Sequence, residues 1–167
     1  MALALLAWAA LGGPAAAASL SARDVQVMGR ALAFLQPPPA SGELAVIYAD
    51  GNAASKQDAE AIAAELGDGL HVGSAVLRPR LVASTAVAME GFAVAIAATG
   101  ANGPPLRAAI DAKRALCVTA DLAAVEAGSC TMAIRSEPRV EIVVNHAAAV
   151  ASGVEFVAAF RMMIREI

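Results

Sequence analysis

Aromatic residues make up only 4% of this 167-residue chain, charged residues 16%, and cysteine and histidine occur twice each. Each shortage excludes something. With a net charge of −3 there is no Lys/Arg stripe to neutralise phosphates, which argues against nucleic acid as a partner. Two cysteines supply no second pair, and His71 and His146 lie far from both in sequence, so no metal site is expected. Beyond the first residues, Asp, Glu, Lys or Arg interrupts every apolar run before it reaches the length of a membrane span. Gly-x-Gly-x-x-Gly, the P-loop, the nucleophile elbow and His-Glu-x-x-His are all missing, and no motif calls for a cofactor.

What is present begins with an apolar run, Met1–Leu11, of signal-peptide length and too short to span a bilayer comfortably. Gly12-Gly13-Pro14 breaks a helix, and Ala15–Ala18 supply the small residues that signal peptidase accommodates. Residues 1–18 therefore read as a signal peptide cleaved after Ala17 or Ala18, although no Lys or Arg precedes the run. A buried N-terminal helix is the competing reading, disfavoured because the run has no polar positions at helical spacing. The expectation is export to the periplasm, with residues 19–167 forming a single domain. In an exported chain the even pair Cys117 and Cys130 favours a disulfide, worth about 3 kcal/mol in the chain-entropy model. Two buried free thiols remain the alternative, because sequence does not show whether the Cβ atoms face each other.

Along the domain, Ser21-Ala-Arg-Asp24 is a capping-box start. Val25, Met28, Ala31, Leu32 and Leu35 then recur at helical spacing, predicting a helix that runs to about Leu35, ahead of Pro37-Pro38-Pro39. A strand is expected at Leu44–Ala49, followed by the turn Asp50-Gly51-Asn52. Ser55-Lys-Gln-Asp58 reads as a second capping box, opening a helix that ends at Gly67. His71–Val82 reads as a second strand with its connection, Ser84-Thr85 as the cap of a short helix to Glu90, and Phe92–Ala97 as a third strand. A helix from Pro105 or Leu106 to Ala112, a strand at Ala115–Thr119 and an Ala-rich helix ending at Gly128 follow. Cys130–Arg135 and Arg139–Val144 form a hairpin around Ser136-Glu137-Pro138, and a closing helix carries Val157, Phe160, Met163 and Ile164 on one side. Alternation of helices with strands that are apolar throughout is the pattern of a parallel sheet covered on both faces. The expected fold class is α/β, a three-layer αβα sandwich with a mostly parallel sheet and a C-terminal hairpin and helix.

Open parallel sheets bind ligands where loops leave the C-terminal strand ends. Those loops supply the candidate ligand-binding residues Asp50, Asn52, Thr99, Asn102, Thr119 and Asp121. A helix starts close behind each loop, which suits a small anionic or polar ligand. Ordinary caps and turns use the same residue types, and that reading competes with the first. His146 follows Asn145 at a strand-to-helix junction, where a cap or surface role outweighs that of a base, and His71 has no evident partner. A Cys117 nucleophile paired with His146 would need a free thiol, which an oxidising compartment disfavours. No catalytic set emerges, and an enzyme is not expected.

Several segments carry a family resemblance. They are the amphipathic Val25–Leu35 with Phe34 near its end, the strand Leu44–Tyr48, and Leu116-Cys-Val-Thr-Ala-Asp121 followed by Gly128-Ser-Cys-Thr-Met132-Ala-Ile134. Val140–Asn145, the alanines after it, Gly153 and the closing helix complete the order. The whole resembles the YfiR-like family of bacterial periplasmic proteins, with Ser129-Cys130-Thr131-Met132 standing where members carry Gly-Gly-Met-Ile. The resemblance implies a single periplasmic-binding-protein-like lobe that does not catalyse. It implies as partner an inner-membrane sensor or diguanylate cyclase, with control of cyclic di-GMP and biofilm formation, and homodimerisation stays open. The runner-up is a small-molecule binding lobe related to ABC-transporter solute-binding proteins, whose first β-α unit Ala45–Glu60 is similar to.

Overall fold

The computed structural model describes residues 19–167, so the signal peptide expected at residues 1–18 lies outside the described residues. Helix α1 (Ala22–Leu32) starts as its capping box dictates: the Ser21 hydroxyl accepts from the Asp24 amide, and the Asp24 carboxylate accepts from the Ser21 amide at 2.8 Å. It stops short of Leu35 because the chain is recruited elsewhere. Leu35 bridges to Phe156, the Gln36 amide donates to the Glu155 carbonyl, and the Val157 amide donates to the Phe34 carbonyl.

Strand β1 (Gly42–Tyr48) leads into α2 (Ala53–Leu66), which begins ahead of the predicted Ser55 cap. Asn52 is the N-cap, accepting from the Ser55 amide at 3.1 Å. Ser55 is fully buried, and its hydroxyl instead accepts from the Ala49 amide at the end of β1. The segment expected to be one strand is an antiparallel pair, β2 (Leu70–Val72) and β3 (Ala75–Ala83), reversed at Gly73, whose φ of 59° favours glycine. The short helix expected from Ser84 to Glu90 is a series of turns. Its capping hydroxyls are engaged with Asp50: Ser84 accepts from the Asp50 amide and Thr85 donates to the Asp50 carboxylate.

The remainder runs β4 (Val94–Ala97), α3 (Pro104–Lys113), β5 (Leu116–Thr119), α4 (Leu122–Glu126), β6 (Met132–Arg135) and β7 (Glu141–Val144). Then come α5 (His146–Ala151), α6 (Ala158–Arg161) and β8 (Arg165–Glu166). The expected hairpin is present as β6–β7. The closing helix is a single turn, and the chain continues into β8, parallel to β7. Phe160 gives α6 its buried anchor, stacked on Phe34 with centroids 5.0 Å apart. Met162 and Met163, 84% and 67% exposed, offer no second apolar turn to extend it.

The strands form one eight-stranded sheet in the order β2-β3-β1-β4-β5-β6-β7-β8. Strands β3, β1, β4, β5 and β6 are mutually parallel, while β2 runs against β3, and β7 and β8, parallel to each other, run against β6. The sheet is thus a mostly parallel one covered on both faces, the middle layer of an α/β sandwich. One core packs α1, α2, Phe156 and Phe160 against one face; the other packs Leu106, Ile110 and Val125 from α3 and α4 with Val87 and Phe92. Cys117 on β5 and Cys130 before β6 form a disulfide within the second core, with Cα atoms 5.1 Å apart, and neither is solvent-exposed. Among the described residues no helix is long and apolar enough to cross a membrane.

Candidate functional site

The topology brings most of the candidate loops to one end of the sheet. Successive crossovers leave β1 on opposite sides, towards β3 and towards β4, so the switch point of this doubly wound order lies between β1 and β4. That crevice is filled by the chain itself. The Asp58 carboxylate, reaching up from α2, accepts from the Thr99 amide at 2.7 Å and also from the Ser19 hydroxyl. Asn52 stands beside Gly100, where an added Cβ would come within 3.7 Å of the Asn52 amide nitrogen. The first place to expect an anion is therefore occupied by an internal one.

The open space lies one strand further along. A cleft of about 300 Å³ is lined by Thr99, Gly100, Thr119, Ala120, Asp121, Leu122, Ala123 and Arg135. It adjoins a second, of about 290 Å³, lined by Ser19, Ser21, Asp24, Ala120, Arg135, Ser136 and Glu137. Ala120 and Arg135 are common to both.

Of the predicted site residues, Thr99, Thr119 and Asp121 meet in the first cleft, whereas Asp50, Asn52 and Asn102 are not among its lining. Most are already engaged. Thr119 is buried, donating its hydroxyl to the Ala97 carbonyl and accepting from the Asp121 amide. Asp121 caps α4 through the Ala124 amide, and Asp50 holds Gly51, Ser84 and Thr85. Asn102 is different: both polar atoms of its side-chain amide are buried without a hydrogen-bond partner.

Sequence reasoning missed Asp24, Arg135 and Ser136. Arg135 ends β6 and pairs with Glu141 across the hairpin at 2.8 Å. Asp24 looked fully accounted for as a helix cap, but a carboxylate has two oxygens. Its Oδ2 accepts from the Ser21 amide and hydroxyl, while Oδ1 is buried with no partner. Burial pushes the Asp24 carboxyl up, but hydrogen bonding from Ser21 and the approach of Ser136 outweigh that, holding it below the ordinary 3.8. Ser136 comes near with hydroxyl and amide, yet neither closes a well-formed hydrogen bond to Oδ1, and the Ser136 hydroxyl is itself buried and unpartnered.

Two further hollows lie at the opposite end of the parallel strands. They measure about 310 and 290 Å³ and share Arg114, Gly153, Val154 and Glu155, with His146 lining the first. An apolar groove of about 540 Å³ runs between Val87, Ala88 and α3. His146 thus sits away from the strand-end cleft, and Cys117, bonded to Cys130, is no nucleophile for it to activate. Among the described residues no three His, Cys, Asp or Glu side chains are grouped to hold a metal.

Fold and site define a doubly wound α/β domain with a polar cleft at the carboxyl ends of β4, β5 and β6. Neither protein-family models nor curated proteins match the chain.

Proposed function

We propose that the chain is a periplasmic, non-enzymatic regulator of the YfiR-like type, acting by binding a membrane sensor protein. A diguanylate cyclase is the partner that the sequence resemblance favours, with cyclic di-GMP output and biofilm formation as the process controlled. The observation carrying this reading is that the polar side chains at the strand ends serve the scaffold: Asn52 and Asp121 cap helices, and Asp58 occupies the switch point. A domain whose polar groups are spent in this way acts through its surface, and that surface exposes Met89, Met162 and Met163. The Cys117–Cys130 disulfide fits an oxidising compartment. Affinity capture of the protein, crosslinked in intact cells and solubilised from the envelope, should recover an inner-membrane sensor or cyclase. Recovery of no membrane protein above a mock-tagged control would overturn the reading. A small-molecule binding lobe is the second reading, favoured by the open polar clefts at the carboxyl ends of β4, β5 and β6.

A further inference from the structure

We propose that Arg114 anchors the carboxylate of a small aliphatic monocarboxylate in the paired hollows at the amino-terminal ends of the parallel strands. The site depends neither on the sensor partner nor on the polar clefts at the other end of the sheet, so each reading can fail alone. Arg114 stands where glycine would serve the backbone better. It closes α3 with φ 53°, and main-chain atoms alone make the cap: its amide donates to the Asp111 carbonyl, and the Ala115 amide to the Ile110 carbonyl. Glycine offers the same atoms without the left-handed penalty, so the reason for an arginine lies in its side chain. That side chain is exposed and lines both hollows. Its guanidinium lies against Gly153, where a Cβ would fall 2.6 Å from Nη2 and 2.7 Å from Nε. Of the arginines lining the hollows and clefts, Arg135 is held by Glu141 and Arg161 by Glu166. Arg114 pairs with no carboxylate among the described residues.

The chemistry narrows the occupant. A guanidinium with open donors takes an oxyanion, and a carboxylate meets it with two oxygens on two N–H groups. Charge sets the valence. The first hollow places Arg114 and Arg161 among Glu155 and Glu166, and Arg161 is already spent on Glu166. One open cation therefore answers one negative charge, while Glu155 repels the second charge of a phosphate dianion. The walls decide the rest of the molecule. Val144 and Val154 line the first hollow, and Pro37, Val94 and Leu116 the second, which calls for an apolar body. Phe156, the aromatic residue of the first hollow, is buried and already packed on Phe160, so the body has aliphatic rather than stacking contacts to make. Volumes of about 310 and 290 Å³ lie at the lower end of the about 300–1,000 Å³ usual for ligand pockets, which keeps that body short.

The test is a ¹H–¹⁵N NMR titration of the purified protein with hexanoate. Hexanamide, which keeps the body without the charge, and inorganic phosphate, which keeps charge without the body, run alongside. The expected result is saturable hexanoate shifts centred on the amides of Arg114, Gly153 and Val154, with hexanamide and phosphate binding at least about tenfold more weakly. Arg114→Gly keeps the cap and relieves its strain, so it should stay folded and yet bind hexanoate at least about tenfold more weakly. Arg114→Gln, which removes the charge and keeps the left-handed side chain, should lose as much, and it decides the matter if Arg114→Gly melts lower than the parent. Shifts centred elsewhere, hexanamide or phosphate binding as tightly as hexanoate, or undiminished affinity in the deciding variant would each overturn the proposal. So would the absence of any hexanoate-dependent shift, which would leave Arg114 a helix cap and no more.

Discussion

Asp58, on the second turn of α2, holds the backbone amide of Thr99 at 2.7 Å, so the first crossover helix is pinned to the loop that follows β4. The contact joins elements on either side of the switch point and uses a charged acceptor, the stronger kind of hydrogen bond. It makes the helix a strut for the candidate cleft, since Thr99 and Gly100 form part of that cleft's wall.

Replacing Asp58 should therefore loosen the cleft before it unfolds the protein. Asp58→Ala is expected to cost about 1–2 kcal/mol. Urea denaturation measures that loss, and amide exchange at Thr99 and Gly100 should quicken more than exchange in β5. Uniform acceleration across the sheet would show that the strut has no local role.

The disulfide should carry a larger share. A bridge spanning 13 residues, buried in the second core, is expected to contribute about 3 kcal/mol. The Cys117→Ala/Cys130→Ala double variant should show that deficit in denaturant unfolding. Thiol titration of the unreduced, denatured protein should find no free sulfhydryl.

Arg114 offers a test with the opposite sign. It ends α3 with φ 53° and ψ 46°, a left-handed conformation that costs a non-glycine residue about 1–2 kcal/mol. Arg114→Gly should gain up to about 1 kcal/mol, the glycine's extra unfolded-state freedom offsetting part of the relief. Gly153→Ala should be destabilising, because its φ is 62° and its new Cβ would fall 2.6 Å from the Arg114 Nη2 atom. Combining the two should recover part of the loss by removing the clash, leaving only the strain at position 153; melting temperatures of the four proteins complete the cycle.

Acid should find Asp24 out. Its carboxyl titrates below the ordinary 3.8 in the folded protein, so the unfolded chain binds the proton more readily in that range. The resulting stability is fully present above the unfolded value and is lost as pH falls through the folded one. Asp24→Asn should therefore flatten the decline of stability at pH values below about 4, while lowering stability at pH 7. Parallel denaturation curves from pH 7 downwards read both effects.

Much of this architecture could be read from local pattern, and the exceptions have physical causes. Ser21-Ala-Arg-Asp24 and Ser55-Lys-Gln-Asp58 carry the same signature, yet only the first is a capping box. At the second, Asn52 takes the cap, burial draws Ser55 to the end of β1, and Asp58 finds Thr99, which is distant in sequence. The β2–β3 reversal was hidden because His71–Val82 reads as one apolar stretch, within which Gly73-Ser74 is the only turn signal. Pro79 is tolerated because β2 pairs only with Ala75–Leu77, leaving that side of β3 unpaired where the proline sits. The strand-end loops were legible from the β-α alternation alone. Asp24 and Ser136 were not, because nothing near either residue announces the other.

The last strand has a consequence for how the molecule meets copies of itself. Sheet margins are where chains recruit one another, and here both margins are stubs: three residues in β2 and two in β8. The tail is bonded into place, Ile167 donating its amide to Val144 and accepting from the His146 amide. Arg165 and Glu166 thus act as a selvedge, finishing a cloth that would otherwise fray into its neighbours. Trimming residues 165–167 would leave β7 with an open row of donors and acceptors, converting a self-terminating sheet into one able to go on adding strands.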